Sequence, residues 1–153
     1  LPLNAEHASL NATIRDRHFQ QGKNMKRILA MIFGACLTAS PSVAQELIAE
    51  YYTSLGVEDM RNSQGLRLGD FCAVVQQDRA NFHRFGIRHD GDQSDPVFAS
   101  REMRARIAGR CRIMPGSEYL PEWVLSGRSR YIWVRVYGIG GQPTELLISE
   151  GAG

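Results

Sequence analysis

The sequence predicts a small α+β domain: two helices packed on a small antiparallel sheet, with a C-terminal β-hairpin and one disulfide. Three observations predict it. A helical apolar stripe runs from Leu68 to Phe82, strand-like alternation runs from Arg130 to Tyr137, and Cys72 and Cys111 are the two cysteines in the C-terminal part of the chain.

The chain of 153 residues changes character at Met25. Residues 1–24 are polar and without strong periodicity, and are read as an upstream extension that is not part of the native product. Met25-Lys26-Arg27 is a basic head, Ile28 to Thr38 is almost wholly apolar, and Ser42-Val43-Ala44 ends in a small residue. Head, apolar run and small-residue cut form a secretory signal over residues 25–44, and the run is too short to span a membrane comfortably. The competing reading is a buried N-terminal helix. A second cut is also conceivable, because Gly34-Ala35-Cys36 resembles a lipoprotein site, although Phe33 stands where leucine is usual. Cleavage after Ala44 gives one exported domain over 45–153, periplasmic or secreted, with no transmembrane segment.

That cleavage leaves an even number of cysteines in an oxidising compartment, which reads as a Cys72–Cys111 disulfide. Closing a loop of about 40 residues stabilises a domain by roughly 4 kcal/mol in the chain-entropy picture. It also alters the charge. The full chain is formally +2, but from Gln45 onward there are 13 basic and 14 acidic residues. Apparent basicity thus belongs to the leading segment, and a general nucleic-acid role is not expected. All 13 of those basic residues are arginine. Codon bias explains this blandly, and selection for bidentate anion contacts explains it more sharply.

Taken in order, Glu46 to Leu55 suits a helix through Leu47, Ile48, Tyr51 and Leu55, and a strand through Tyr51-Tyr52-Thr53. The extended reading, ending at Gly56, is preferred. Asn62-Ser63-Gln64-Gly65 is a turn. In the helix that follows, Leu68, Phe71, Cys72, Val75 and Phe82 share one side, and Gly86 suits a left-handed stop. Arg79 occupies a position on that apolar stripe, with His83 one turn beyond it and Asp78 on the opposite edge. A guanidinium there must snorkel, pair with an acid or hold an anion, since a lone buried charge is too costly. The acids within reach of the argument are Asp78, Asp95 and Glu50.

His89 to Pro96 is a polar, acidic loop. Asp95-Pro96 looks like a helix start, with Ser100 as a rival cap, and the helix is expected to run to about Ala108 and stop at Gly109. Met103 and Ile107 give it a short stripe that Cys111 continues, so both cysteines are expected to project from consecutive helices. Its remaining surface is basic, with Arg101, Arg104, Arg106, Arg110 and Arg112 against Glu102. Pro115-Gly116 is a turn, and Pro121 to Gly127 a short helix or irregular bend. From Arg130 to Tyr137, Ile132, Val134 and Val136 share one strand face, and Tyr131, Trp133, Arg135 and Tyr137 the other. Gly138 to Pro143 turns the chain, and Thr144 to Ser149 returns as the last strand.

The stretch Asn62-Ser63-Gln64-Gly65-Leu66-Arg67-Leu68, followed by Gln77-Asp78-Arg79-Ala80-Asn81-Phe82-His83-Arg84-Phe85-Gly86, resembles a pattern found in small exported bacterial proteins. The resemblance spans most of residues 45–153 and implies export and a compact domain. It implies no activity and no site.

Chemistry is sparse. No serine sits in a Gly-x-Ser-x-Gly setting, and no phosphate-cradling glycine loop opens a helix. Arg79 and His83 can jointly face an anion. Asp78 and His83, five apart on different edges, cannot pair directly as acid and base. Asp90, Asp92 and Asp95 could hold calcium, but EF-hand spacing is absent and Arg101 stands where its closing glutamate would fall. A solvated loop with a helix cap is the simpler reading. Zinc is disfavoured, with only His83 and His89 as free ligands. No cofactor is expected. Trp133 and Arg135, with their tyrosine neighbours, suit stacking on a sugar or a protein, or alternatively the second side of a covered sheet. The leading expectation is a non-enzymatic binding module meeting a protein or anionic ligand of the cell envelope. The alternative is a small hydrolase or transferase acting on an anionic substrate, with Arg79 as clamp and His83 as acid or base, Asp78 being the other catalytic candidate.

Overall fold

The computed structural model describes residues 44–152. The extension over 1–24 and the signal segment over 25–44 lie outside the described residues, apart from Ala44.

The first strand, β1, is Glu46–Leu55. The extended reading holds because alternate residues Tyr51, Thr53 and Leu55 are buried while the intervening side chains face outward. It stops at Gly56, where any Cβ would run into the His89 ring. Helix α1, Phe71–Ala80, is capped by Asp70, whose carboxylate accepts from Ala73 N at 2.8 Å. It continues into one wider, π-helical turn, Asn81–Phe85, and ends at Gly86 with φ 69°. The buried face carries Phe71, Cys72, Val74, Val75, Asp78 and Arg79, then Phe82.

Helix α2 is shorter than expected, Arg101–Ala105, and Ser100 is its cap, accepting from Met103 N at 3.1 Å. Asp95 caps a separate turn through Val97 N and Phe98 N at 2.9 and 2.6 Å. The turn sends Phe98 into the core, edge-on to Tyr51, before the chain coils again. After Gly109 the chain is already extended: Cys111 opens strand β2, Cys111–Ile113, and does not flank a helix. The disulfide therefore joins α1 to a strand, with Cα atoms 5.7 Å apart. Helix α3, Leu120–Leu125, begins with proline at its first turn and buries Leu120 and Val124.

Strands β3, Arg130–Ile139, and β4, Gln142–Glu150, form the hairpin. Both run further than their alternation suggests, and Gly140-Gly141 alone makes the turn, with φ 56° and 73°. The sheet order is β1-β3-β4-β2. Three strands are antiparallel, but β2 pairs parallel to β4, so the sheet is mixed and not purely antiparallel. Its inner face (Tyr51, Leu55, Ile132, Val134, Val136, Leu146, Ile148) packs on Phe71, Val74 and Val75 of α1, on Ile107, and on Leu120 and Val124 of α3. Among the described residues this is an α+β fold with three α-helices and one π-helical turn, where the sequence suggested two helices.

Candidate functional site

The end of α1, its π-helical turn and the loop 86–95 close on one another through charge. Arg79 has no solvent exposure. Its Nε donates to Asp78 Oδ2 at 2.7 Å, Nη1 to Asp95 Oδ2 at 3.2 Å and to Gln93 O at 3.0 Å, and Nη2 to Thr53 Oγ1 at 2.7 Å. The guanidinium carbon lies 4.2 Å from the Tyr51 ring centre and 4.8 Å from that of Phe82. Of the acids considered, Asp78 and Asp95 are the partners; Glu50 points out of β1 and is exposed.

His83 Nε2 lies 2.8 Å from Asp95 Oδ2, and the histidine side chain is 11% exposed. Histidine and Asp78 do not meet, as their spacing requires; the acid beside His83 comes from the following loop. Thr53 links the two halves of the cluster. Its hydroxyl accepts from Arg79 and lies 2.9 Å from Asp78 Oδ1 and 3.0 Å from Asp92 Oδ1, so its single proton serves one carboxylate at a time.

The protonation of the acids follows from these partners. Burial pushes Asp78 from 3.8 to about 7, against the opposing pull of Arg79 and of the Thr53 hydroxyl. Burial acts upward on Asp95 as well, but the His83 bond, the Phe98 N–H and the Arg79 charge together hold it below the usual carboxylate value. Arg79 stays fully charged: desolvation acts against its charge, and Asp78, Tyr51 and Asp95 together more than offset it.

A second arm extends the network. Asn81 Nδ2 donates to Asp59 Oδ1 at 2.7 Å, Gly56 N donates to Asp59 Oδ2 at 2.8 Å, and His89 Nε2 lies 3.0 Å from that same oxygen. Burial raises the Asp59 carboxyl, opposed by its bonds to Asn81, Gly56 and His89. Asp92 accepts from Ser54 N at 2.8 Å and His89 N at 2.6 Å. The three loop carboxylates are thus turned to different duties. Asp92 holds backbone N–H groups, Asp95 holds Arg79 and His83, and Asp90 is exposed, giving only its backbone carbonyl to Ser54 Oγ. Among the described residues no three His, Cys, Asp or Glu side chains converge to hold a metal ion.

Thr53, Asp59 and Asn81 escape sequence reasoning. The signal for Thr53 is present: it is a polar residue at an inward position between Tyr51 and Leu55. For Asp59 and Asn81 no pattern distinguishes them from surface residues.

The other sequence candidates lie on the opposite side of the sheet. Tyr52 of β1 faces Trp133 of β3 in register, and its ring stacks on Tyr131 at 5.6 Å and on Trp133 at 5.8 Å. Arg135 continues the ladder, its guanidinium carbon 4.4 Å from the Trp133 ring centre. The helices pack on the inner face, and Tyr52, Tyr131, Trp133, Arg135 and Tyr137 all remain partly exposed. Trp133 Nε1 and Arg135 Nε have no hydrogen-bond partner among the described residues.

Comparison with family models, with curated proteins and with solved structures finds no match.

Proposed function

We propose that the chain is an exported, non-enzymatic binding module that meets a protein of the cell envelope through the outer face of its sheet. The observation that carries this reading is the ladder of Tyr131, Tyr52, Trp133 and Arg135, stacked and partly exposed on the sheet face opposite the helices. Aromatic and arginine side chains are the types enriched at protein interfaces, and rigid stacking lowers the entropy lost on binding. Export is supported by the Cys72–Cys111 disulfide and by the signal-like segment over 25–44. No helix among the described residues is long and apolar enough to cross a membrane.

The rival reading, a hydrolase or transferase working through Arg79 and His83, needs both groups to reach a substrate. Arg79 is fully covered and four of its N–H bonds are spent on Asp78, Asp95, Gln93 and Thr53. Its chemistry is that of a clamp between elements.

The test is affinity purification from native envelope of the wild type and of a Trp133→Ala/Arg135→Ala double variant. The disulfide and circular dichroism of both are checked first. A partner retained by the wild type and lost from the folded variant is expected. Equal retention by both would sink the assignment of this face.

A further inference from the structure

A second surface, on the helical side, carries a different chemistry. Between α1 and α2 lies a cleft of about 440 Å³, lined along α1 and its π-helical turn by Ala73, Gln76, Gln77, Ala80 and Arg84 and along α2 by Arg101 and Arg104. Its small α1 residues leave room between the helices, and its size falls within the range of small-molecule sites. None of its lining residues is acidic. Glu102, beside Arg101, lies outside the lining, and Asp95, the acid that acts on Arg104 through space, is committed to Arg79 and His83.

Three arginines around one cleft without a lining acid repel one another. The effect is visible on Arg104, whose affinity for its proton falls through desolvation first and through the charges of Arg84 and Arg101 next. Arg104 is nonetheless held in place. It is 6% exposed, and its Nη1 donates to Phe98 O at 2.9 Å and Ala99 O at 2.7 Å. A buried, fixed guanidinium sharing a cleft with two exposed ones is an arrangement that an entering anion stabilises. A planar carboxylate saturates one guanidinium fork. A tetrahedral phosphate, with three acceptor oxygens, can engage all three. Leu68 and Phe85 also line the cleft, and Phe85 is 46% exposed, so part of the site suits an apolar portion.

We infer that the cleft between α1 and α2 binds an organic phosphate, held by Arg84, Arg101 and Arg104. Such a group is found on soluble metabolites and on lipid headgroups alike. The inference is independent of the aromatic face, which lies on the far side of the sheet.

The test uses protein purified after expression of the full chain, with glycerol phosphate as soluble probe and phosphatidic acid in phosphatidylcholine vesicles as headgroup probe. Arg84 and Arg101 are exposed, so Arg84→Gln and Arg101→Gln leave the core untouched. Arg112→Gln, on the outer sheet face and paired with Glu145, removes the same charge elsewhere. Glycerol phosphate binding that weakens about tenfold in each cleft variant and is unchanged in Arg112→Gln is the expected result. Vesicle binding with the same pattern, without glycerol phosphate binding, also supports the site and assigns it to a headgroup. No binding of either probe, or a loss as large in Arg112→Gln as in the cleft variants, overturns it.

Discussion

Arg79 and His83, one helical turn apart, reach the same oxygen: Asp95 Oδ2 lies 3.2 Å from Arg79 Nη1 and 2.8 Å from His83 Nε2. One carboxylate from the loop 86–95 thereby fastens the end of α1. The other oxygen of Asp95 accepts from Val97 N and Phe98 N and sets the turn that drives Phe98 into the core. A single acid couples a buried cation, a histidine and a backbone reversal.

Arg79→Ala is expected to cost about 3–5 kcal/mol, because Asp78 and Asp95 are left buried without their cation. Arg79→Met combined with Asp78→Asn should recover part of that loss by keeping the apolar stem and removing a charge. Urea unfolding reads both. A folded Arg79→Ala protein of wild-type stability would falsify the clamp.

Stability should fall as pH rises from about 4 to about 7. In this window the unfolded chain releases the Asp78 proton while the folded chain, with Asp78 raised to about 7, retains it. The raised Asp59 contributes in the same direction. Asp95 does the reverse: its lowered value gives stability present above the usual carboxylate range and lost as pH falls through its folded value. Chemical denaturation across this range should show the limb flattened in Asp78→Asn. An identical slope in wild type and variant would assign the pH dependence to other groups.

Tyr51→Phe is expected to stabilise the fold by about 1 kcal/mol. The phenol oxygen is buried without a hydrogen-bond partner among the described residues, so removing it relieves an unpaid desolvation while the ring remains against Arg79 and Phe98. A lower midpoint in thermal unfolding would show that the hydroxyl has a partner in solution.

Replacing both Cys72 and Cys111 by serine should lower stability by about 4 kcal/mol, the loop-closure contribution of a bridge spanning 39 residues. Thermal unfolding with and without reductant measures it. Wild-type protein indifferent to reductant would mean that the bridge contributes nothing.

Some of this was readable along the chain and some was not. The extended reading of Glu46 to Leu55, the part of the stripe from Phe71 to Phe82, the hairpin strands and the pairing of Cys72 with Cys111 all report local periodicity or composition, whereas Leu68 lies before the helix, which Asp70 caps. They decide which side of an element is buried. They also exposed Arg79 as an anomaly needing compensation. The compensator was a choice among three acids: Asp78 pairs from within the helix, and only the folding of the loop 86–95 back over the helix end adds Asp95. Strand β2 was hidden for the same kind of reason. Three residues are too few to show a period, and their pairing is made by distant groups, Leu146 N to Arg110 O and Met114 N to Ile148 O. The basic cleft was half visible as a run of arginines after Ser100, but Arg84 joins it only because α1 and α2 pack side by side. Periodicity fixes a residue's face within its own element. Its partner depends on which elements the shared core draws together, and that is a property of the whole chain's closure.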